Sequence, residues 1–316
     1  MLKIFTAGAA VIIAVVLIIS YICFRIVFYV PQKNKGKTLP LKGDTYKPYL
    51  ETMKRMAEEG RKIPYEDFYI KSFDGLTLHA KYYEYKNGAT TEIMFHGYRG
   101  SAERDLSGGI QRCFSLGRNA LIVDQRTSCG SEGNVITFGI KEHRDCISWA
   151  EFASEHFGPD VTLILCGISM GASTVLMAAG KPLPQNVKGI LADCGFSTAE
   201  AIIKKCSRDM KLPAELVYPF IKLGAKLYGG FDPDEYSALE GVKNSTLPII
   251  FFHGESDDFV PCEMSRQLYN ACSSPKQLVT VAGAGHGLSY LADGERYLQE
   301  LSRFFTQNGI KTEILM

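Results

Sequence analysis

Six short apolar runs, each separated from the next by a stretch of helical periodicity, constrain this chain more than any other feature of its sequence. They are EIMFHG (92–97), ALIVDQ (120–125), VTLILCG (161–167), VKGILADCG (187–195), PIIFFHG (248–254) and QLVTVAG (277–283). Runs this short and uniformly apolar belong to strands buried on both faces, and interleaved helices make such strands pair in parallel. The expectation is an α/β fold with a mostly parallel central sheet and helices on both faces. Chemistry in these sheets gathers beyond the carboxyl ends of the strands. Ahead of the runs, YEDFYIKSFDGLTLHAKYYEY (65–85) alternates like an antiparallel hairpin, with Asp74-Gly75 as its turn.

One connection is longer than a crossover needs. Residues 196–245 hold two helix-like stretches, the first with Ser197 placed to cap and Glu200 three residues on, the second ending on Gly229-Gly230. An insertion there sits over the strand ends as a small helical lid. Its Leu212, Leu216, Val217, Tyr218, Phe220 and Leu223 either line an apolar pocket or pack the lid onto the sheet.

The amino-terminal region follows other rules. From Ile4 to Phe24 no residue is charged, a run long enough to cross a bilayer as a helix and longer than the core of a secretory signal. Lys3 precedes it, whereas Arg25, Lys33, Lys35, Lys37 and Lys42 follow it, so the bulk of the chain is expected in the cytoplasm. Nine cysteines without a CxxC pair fit a reducing compartment. The organisation read from the sequence is a transmembrane anchor (1–30), a linker and amphipathic helix (31–64), a main α/β domain (65–306) containing the lid at 196–245, and a tail (307–316). The apolar stripe of the amphipathic helix, with Tyr46, Tyr49, Leu50, Met53, Met56 and Ala57, is expected to pack on the domain. A net charge of +1 offers no general field for nucleic acid.

Gly167-Ile168-Ser169-Met170-Gly171 joins the third of the six runs to a helical stretch. A sharp turn from strand to helix strains the backbone at its apex and demands flanking residues without bulk, and it thrusts the serine hydroxyl above the sheet. A serine hydroxyl is a poor nucleophile at neutral pH, so a base must take its proton and a third group must orient that base. His286 lies in a Gly-bordered loop after the last run, and Asp257 follows the run before it, with Glu255, Asp258 and Asp193 as rival carboxylates. The other five histidines, His79, His96, His143, His156 and His253, read as structural.

With GISMG, FHGYRGS, VDQRTSCGSEG, HGESDDFVP and GAGHG all present, the chain resembles the α/β-hydrolase superfamily over residues 65–306, near its esterase, monoacylglycerol-lipase-like and serine-aminopeptidase-like branches. The resemblance implies Ser169 as nucleophile, His286 as general base and acid, and Asp257 as the orienting carboxylate. It also implies the backbone N–H groups of Met170 and Tyr98 as the oxyanion hole. Asp124, Gly130, Ser131 and Gly133 are expected to shape a loop without chemistry. No HExxH, metal-spaced Cys/His set, phosphate-cradling loop or dinucleotide fingerprint is present, so neither metal nor organic cofactor is implied.

The expectation is a membrane-anchored serine hydrolase acting through an acyl-enzyme on a small acyl ester or thioester. Amide hydrolysis by a peptidase-like enzyme, or a non-catalytic membrane-tethered binding module, are the alternatives.

Overall fold

The computed structural model describes residues 2–31, 37, 44–312 and 314–315. Lys33, Lys35 and Lys42, which enter the charge comparison across the span, lie outside the described residues.

Helix α1 (Leu2–Val27) is followed by a 3-10 segment (Asp44–Tyr49) that runs into α2 (Leu50–Gly60). The hairpin β1 (Glu66–Lys71) and β2 (Thr77–Tyr83) precedes β3 (Thr91–Phe95), α3 (Ala102–Ser115), β4 (Asn119–Asp124) and α4 (Glu142–Phe157). Then come β5 (Leu163–Ile168), α5 (Met170–Ala179) and β6 (Val187–Asp193). The lid carries α6 (Ala199–Asp209), α7 (Ala214–Gly224), a π-helical turn (Ala225–Gly229) and α8 (Ala238–Asn244). The chain closes with β7 (Ile249–Gly254), α9 (Cys262–Ala271), β8 (Lys276–Val281), α10 (Ser289–Ala292) and α11 (Gly294–Gln307).

Among the described residues, eight strands form one sheet in the order β1-β2-β4-β3-β5-β6-β7-β8. β2 pairs antiparallel with both β1 and β4, and every other pairing is parallel. All six apolar runs are strands of this sheet. Each side of it has its own core: Trp149, Phe95, Leu165 and Phe251 belong to one, and Met94, Ile164, Phe252 and Phe305 to the other. The alternation of successive side chains to opposite faces fills both layers at once.

The first lid helix starts one residue later than Ser197 suggests. Thr198, in extended backbone, accepts from the Ala201 N–H and is the N-cap, while Ser197 is buried and its carbonyl accepts from the Leu239 N–H. A residue already tied into the lid by its backbone leaves the capping position to its neighbour.

The amphipathic segment packs on the domain except at Leu50, which is exposed because it opens α2 on the side turned away from the domain. Tyr46, Tyr49 and Met53 lie against Val281, Ala284 and Leu288, and Met56 reaches Gly108 of α3. The apolar amino-terminal helix α1 is also built into the domain. Gly224 of α7 sits so close to the Ser20 carbonyl that a Cβ would collide with it, and Phe28 lies edge-on between Phe138 and Phe231, at 5.7 and 5.2 Å.

Candidate active site

Ser169 occupies the turn between β5 and α5 with φ 57° and ψ −121°, a conformation rarely adopted by a residue with a side chain. The two glycines make it possible. A Cβ on Gly167 would strike the Gly171 carbonyl, and one on Gly171 would strike the Phe95 carbonyl of the adjoining strand. The strained peptide is pinned on both sides: the Ser169 N–H donates to the Asp193 carbonyl at 2.8 Å, and the Ser169 carbonyl accepts from the Ser173 N–H at 3.1 Å.

Three side chains separated widely in the chain meet above this turn. His286 Nε2 lies 2.9 Å from Ser169 Oγ, and His286 Nδ1 lies 2.7 Å from Asp257 Oδ2. The loop after β7 fixes Asp257 further, because its Oδ1 accepts from the Phe259 and Val260 N–H groups at 3.0 and 2.8 Å. Burial works to raise the Asp257 carboxyl, but hydrogen bonds from His253 and His286 outweigh it and hold the group well below the usual carboxylate range. At neutral pH it is therefore an anion.

The rival carboxylates face elsewhere. Glu255 accepts from Thr280 Oγ1, Asp258 is exposed, and Asp193 is bonded to Ser289 and Tyr297 beneath the turn. Burial raises the Asp193 carboxyl.

His253, read from the sequence as structural, is fully buried at the end of β7, with Nε2 2.8 Å from the Val260 carbonyl and 3.2 Å from Asp257 Oδ2. It backs the carboxylate that His286 faces. Its only sequence signal is its place four residues before Asp257. Tyr46 was equally hidden: its hydroxyl donates at 2.8 Å to the backbone carbonyl of His286, 240 positions later, so the segment before the domain clamps the loop that carries the imidazole. Phe259 lies edge-on to the ring of His286, 5.0 Å away.

The loop after β3 supplies the region expected to hold an oxyanion. Gly97 is so placed that a Cβ would touch Ser169, and Tyr98 follows it. His96 braces the turn, its Nδ1 2.8 Å from the Gly97 carbonyl and its Nε2 accepting from the Gln125 N–H at 3.1 Å. The same loop holds the end of α1. The Tyr98 hydroxyl donates to the Val27 carbonyl at 2.6 Å, and Arg99 donates to the carbonyls of Ile26 and Tyr29 at 2.8 and 3.2 Å. The last carbonyls of a helix lack partners within it, and here the loop beside the serine supplies them. Burial pushes the Tyr98 phenol up to about 12, so it remains a donor.

Asp124, Gly130 and Ser131 form the loop expected of them: Asp124 Oδ2 accepts from the Gly130 N–H, and Ser131 Oγ donates to the Asp124 carbonyl. Ligand atoms of Cys194, Asp257 and His286 lie within 4.8 Å of one another. Burial pushes the Cys194 thiol far up, and Asp257 and His286 are engaged with each other, so the trio does not offer a cation a set of free donors.

Residues 137–311 match the prolyl oligopeptidase family, a stretch that covers more than half of the 316 residues and contains Ser169, Asp257 and His286. The chain belongs to that family. YqkD of Bacillus subtilis is 25% identical over 317 residues, spanning 99% of this chain and 100% of its own. Protein bem46 of Schizosaccharomyces pombe is 23% identical over 258 residues, 79% of each chain. An esterase of Pyrococcus furiosus superposes with a TM-score of 0.64 at 20% identity, over 85% of this chain and 97% of its own. A puromycin-hydrolyzing peptidase of Mycobacterium tuberculosis does so with a TM-score of 0.59 at 18% identity, over 78% and 40%. These likenesses establish the α/β-hydrolase fold.

Proposed function

We propose that this α/β-hydrolase is a membrane-anchored serine hydrolase that cleaves acyl esters or thioesters through an acyl-enzyme on Ser169. The observation that carries this reading is the continuous relay from Asp257 Oδ2 through His286 to Ser169 Oγ, with steps of 2.7 and 2.9 Å. The Asp257 anion accepts Nδ1–H and so leaves the Nε2 lone pair facing the hydroxyl. As Oγ bonds to the substrate carbonyl carbon, Nε2 takes the serine proton. The negative charge moves to the carbonyl oxygen, where the N–H groups of Met170 and Tyr98 receive it; losing one such donor typically costs about 3 kcal/mol. His286 then returns the proton to the departing alcohol or thiol. Water repeats the sequence to free Ser169. Every proton in these steps moves between the substrate, water and the chain's own side chains.

Amide hydrolysis is the second reading, supported by membership of a family described by its peptidases. A non-catalytic binding role would leave a strained serine and a buried carboxylate relay without purpose. Labelling of Ser169 by a fluorophosphonate, followed by turnover of acyl esters of graded length against aminoacyl amides, tests nucleophile and bond type together. Label on another residue, or none, overturns the mechanism; faster amide turnover overturns the ester assignment.

In this reading α1 is a retained anchor rather than a cleaved signal, because the packing of Phe28 and the carbonyl caps from Tyr98 and Arg99 make its last turn part of the domain. The flanking charges favour a cytoplasmic domain. A carboxyl-terminal reporter active only outside the cytoplasm would reverse that orientation.

A further inference from the structure

Leu212 and Leu216 are exposed rather than packed beneath the lid. From Leu212 through α7 into the π-helical turn, Leu212, Leu216, Pro219, Leu223 and Leu227 recur at intervals of three and four, and Leu216 and Leu227 are 69% and 53% exposed. Within α7 such spacing places Leu216, Pro219 and Leu223 on one stripe, which Leu212 and Leu227 flank in sequence. Ala214, Tyr218 and Ile221 of the same helix are buried on another side. Lys222 and Lys226 occupy a third, paired with Asp234 at 2.7 Å and Asp232 at 2.6 Å.

The apolar stripe adjoins α1. Besides the contact between Gly224 and Ser20, the Tyr228 hydroxyl donates to the Leu17 carbonyl at 3.2 Å and its ring meets Tyr21 at 5.1 Å. The depth of that contact follows from helix geometry. The uncharged stretch Ile4–Phe24 rises about 32 Å at 1.5 Å per residue, hardly more than the ~30 Å of a bilayer's hydrocarbon. A span must therefore use nearly all of it. Leu17 is seven residues before Phe24, about 10 Å inside the hydrocarbon boundary. Arg25, over the ring of Tyr29 at 4.0 Å, marks that boundary with the pairing of cation and tyrosine typical of the headgroup level. A lid segment bonded at Leu17 cannot stay in water while the helix beside it spans.

We infer that the end of this lid segment, from Leu223 to Tyr228, is inserted among the acyl chains of the leaflet into which α1 emerges. The inference rests on α1 being the membrane anchor proposed above. Lipid acyl chains, rather than a second copy of the protein, are its partner because the stripe is continuous with the exposed apolar surface of α1 itself, which includes Ile13 and Leu17. The depth implied, about 10 Å, matches that of amphipathic helices lying in a membrane surface. Lys222 and Lys226 on the adjoining side are long enough to keep their ammonium groups at the headgroups.

The test places one tryptophan at a time, Leu223→Trp or Leu227→Trp, in the full chain, reconstituted in phosphatidylcholine vesicles containing phosphatidylglycerol. Lys188→Trp, at an exposed position in β6, is the control, and the native Trp149 is fully buried and supplies a constant background. Lipids brominated along their acyl chains are expected to quench the two lid tryptophans at least about twofold more than the control, as for side chains in the acyl boundary. Fluorophosphonate labelling of each variant reports folding independently of the lid. Vesicle-bound protein that labels normally, with both lid tryptophans quenched no more than the control, overturns the insertion and leaves the hydrolase reading intact. Shielding of both without quenching, in a protein that runs as a dimer, assigns the stripe to a second copy and also overturns it. Protein that does not float with the vesicles removes the anchor and the insertion together. Loss of labelling in the unsubstituted protein, with quenching retained, supports the insertion and strikes the mechanism alone.

Discussion

Two imidazoles in this protein are held by carboxylates at nearly equal distances, and they are built for opposite ends. His286 sets Nδ1 2.7 Å from Asp257 and Nε2 2.9 Å from the Ser169 hydroxyl. His79, on β2, sets Nδ1 2.8 Å from Asp124 and Nε2 2.7 Å from Asp67. In the proposed mechanism the hydroxyl on Nε2 gives up its proton to a lone pair on that nitrogen. A second carboxylate on Nε2 asks for another N–H, so that site favours the imidazolium. The partner of the second nitrogen, more than the shared carboxylate contact, separates a relay from a clasp.

The sharpest way to break this comparison is to remove the two second partners. Ser169→Ala is expected to lower turnover of a short-chain p-nitrophenyl ester by about four to six orders of magnitude while leaving the unfolding transition in place. Asp67→Asn, at the edge of the sheet, should leave turnover unchanged. Comparable losses in both would mean that the clasp takes part in the chemistry.

Next in size is the carboxylate of the relay. Asp257→Asn keeps the shape but offers Nδ1 a hydrogen-bond donor as readily as an acceptor, favouring the wrong tautomer, and should reduce kcat about 10⁴-fold. Since the Asp257 carboxyl is held below its ordinary range, the stability it contributes is present above about pH 4 and is lost as pH falls through the folded value. Denaturation profiles of wild type and Asp257→Asn should therefore converge in acid. A gap of constant size down to the acid limit would place the effect elsewhere.

How much of this could be read from the chain alone varies with how local the cause is. Ser169 was legible because its two glycines, a preceding strand and a following helix are all adjacent in sequence. The sheet was legible for the same reason, since each buried strand carries its own apolar run. Choosing Asp257 among Glu255, Asp257 and Asp258 needed the resemblance, because residues one or two apart differ mainly in which way a loop turns them. Contacts such as the hydroxyl of Tyr46 on the carbonyl of His286 leave no pattern in the sequence. The union of α1 with the loop at Tyr98 and Arg99 is of the same kind: a helix reads as an anchor from its composition, but which carbonyls its last turn presents is a property of the assembled fold.

The clasp gives the smallest signal and the clearest sign. A hydrogen bond to Asp124 leads the effects that raise His79 above its ordinary value, with Asp67 adding to it and burial opposing them. Tyr69 lies across the ring at 5.0 Å, and Gly130 closes on it so tightly that a Cβ would strike the imidazole. A folded value raised above the unfolded one contributes stability that is fully present below about pH 6.5 and fades as pH rises through the folded value. The difference in melting temperature between wild type and His79→Gln should thus be larger at about pH 6 than at about pH 9. Ester turnover per folded molecule should be the same for both proteins at each pH, because the ring nitrogens of His79 are bonded to Asp124 and Asp67 rather than to any member of the relay. A stability difference that grew with pH would mean that His79 is buried as the neutral ring, and the contrast drawn between the two imidazoles would then rest on Ser169 alone.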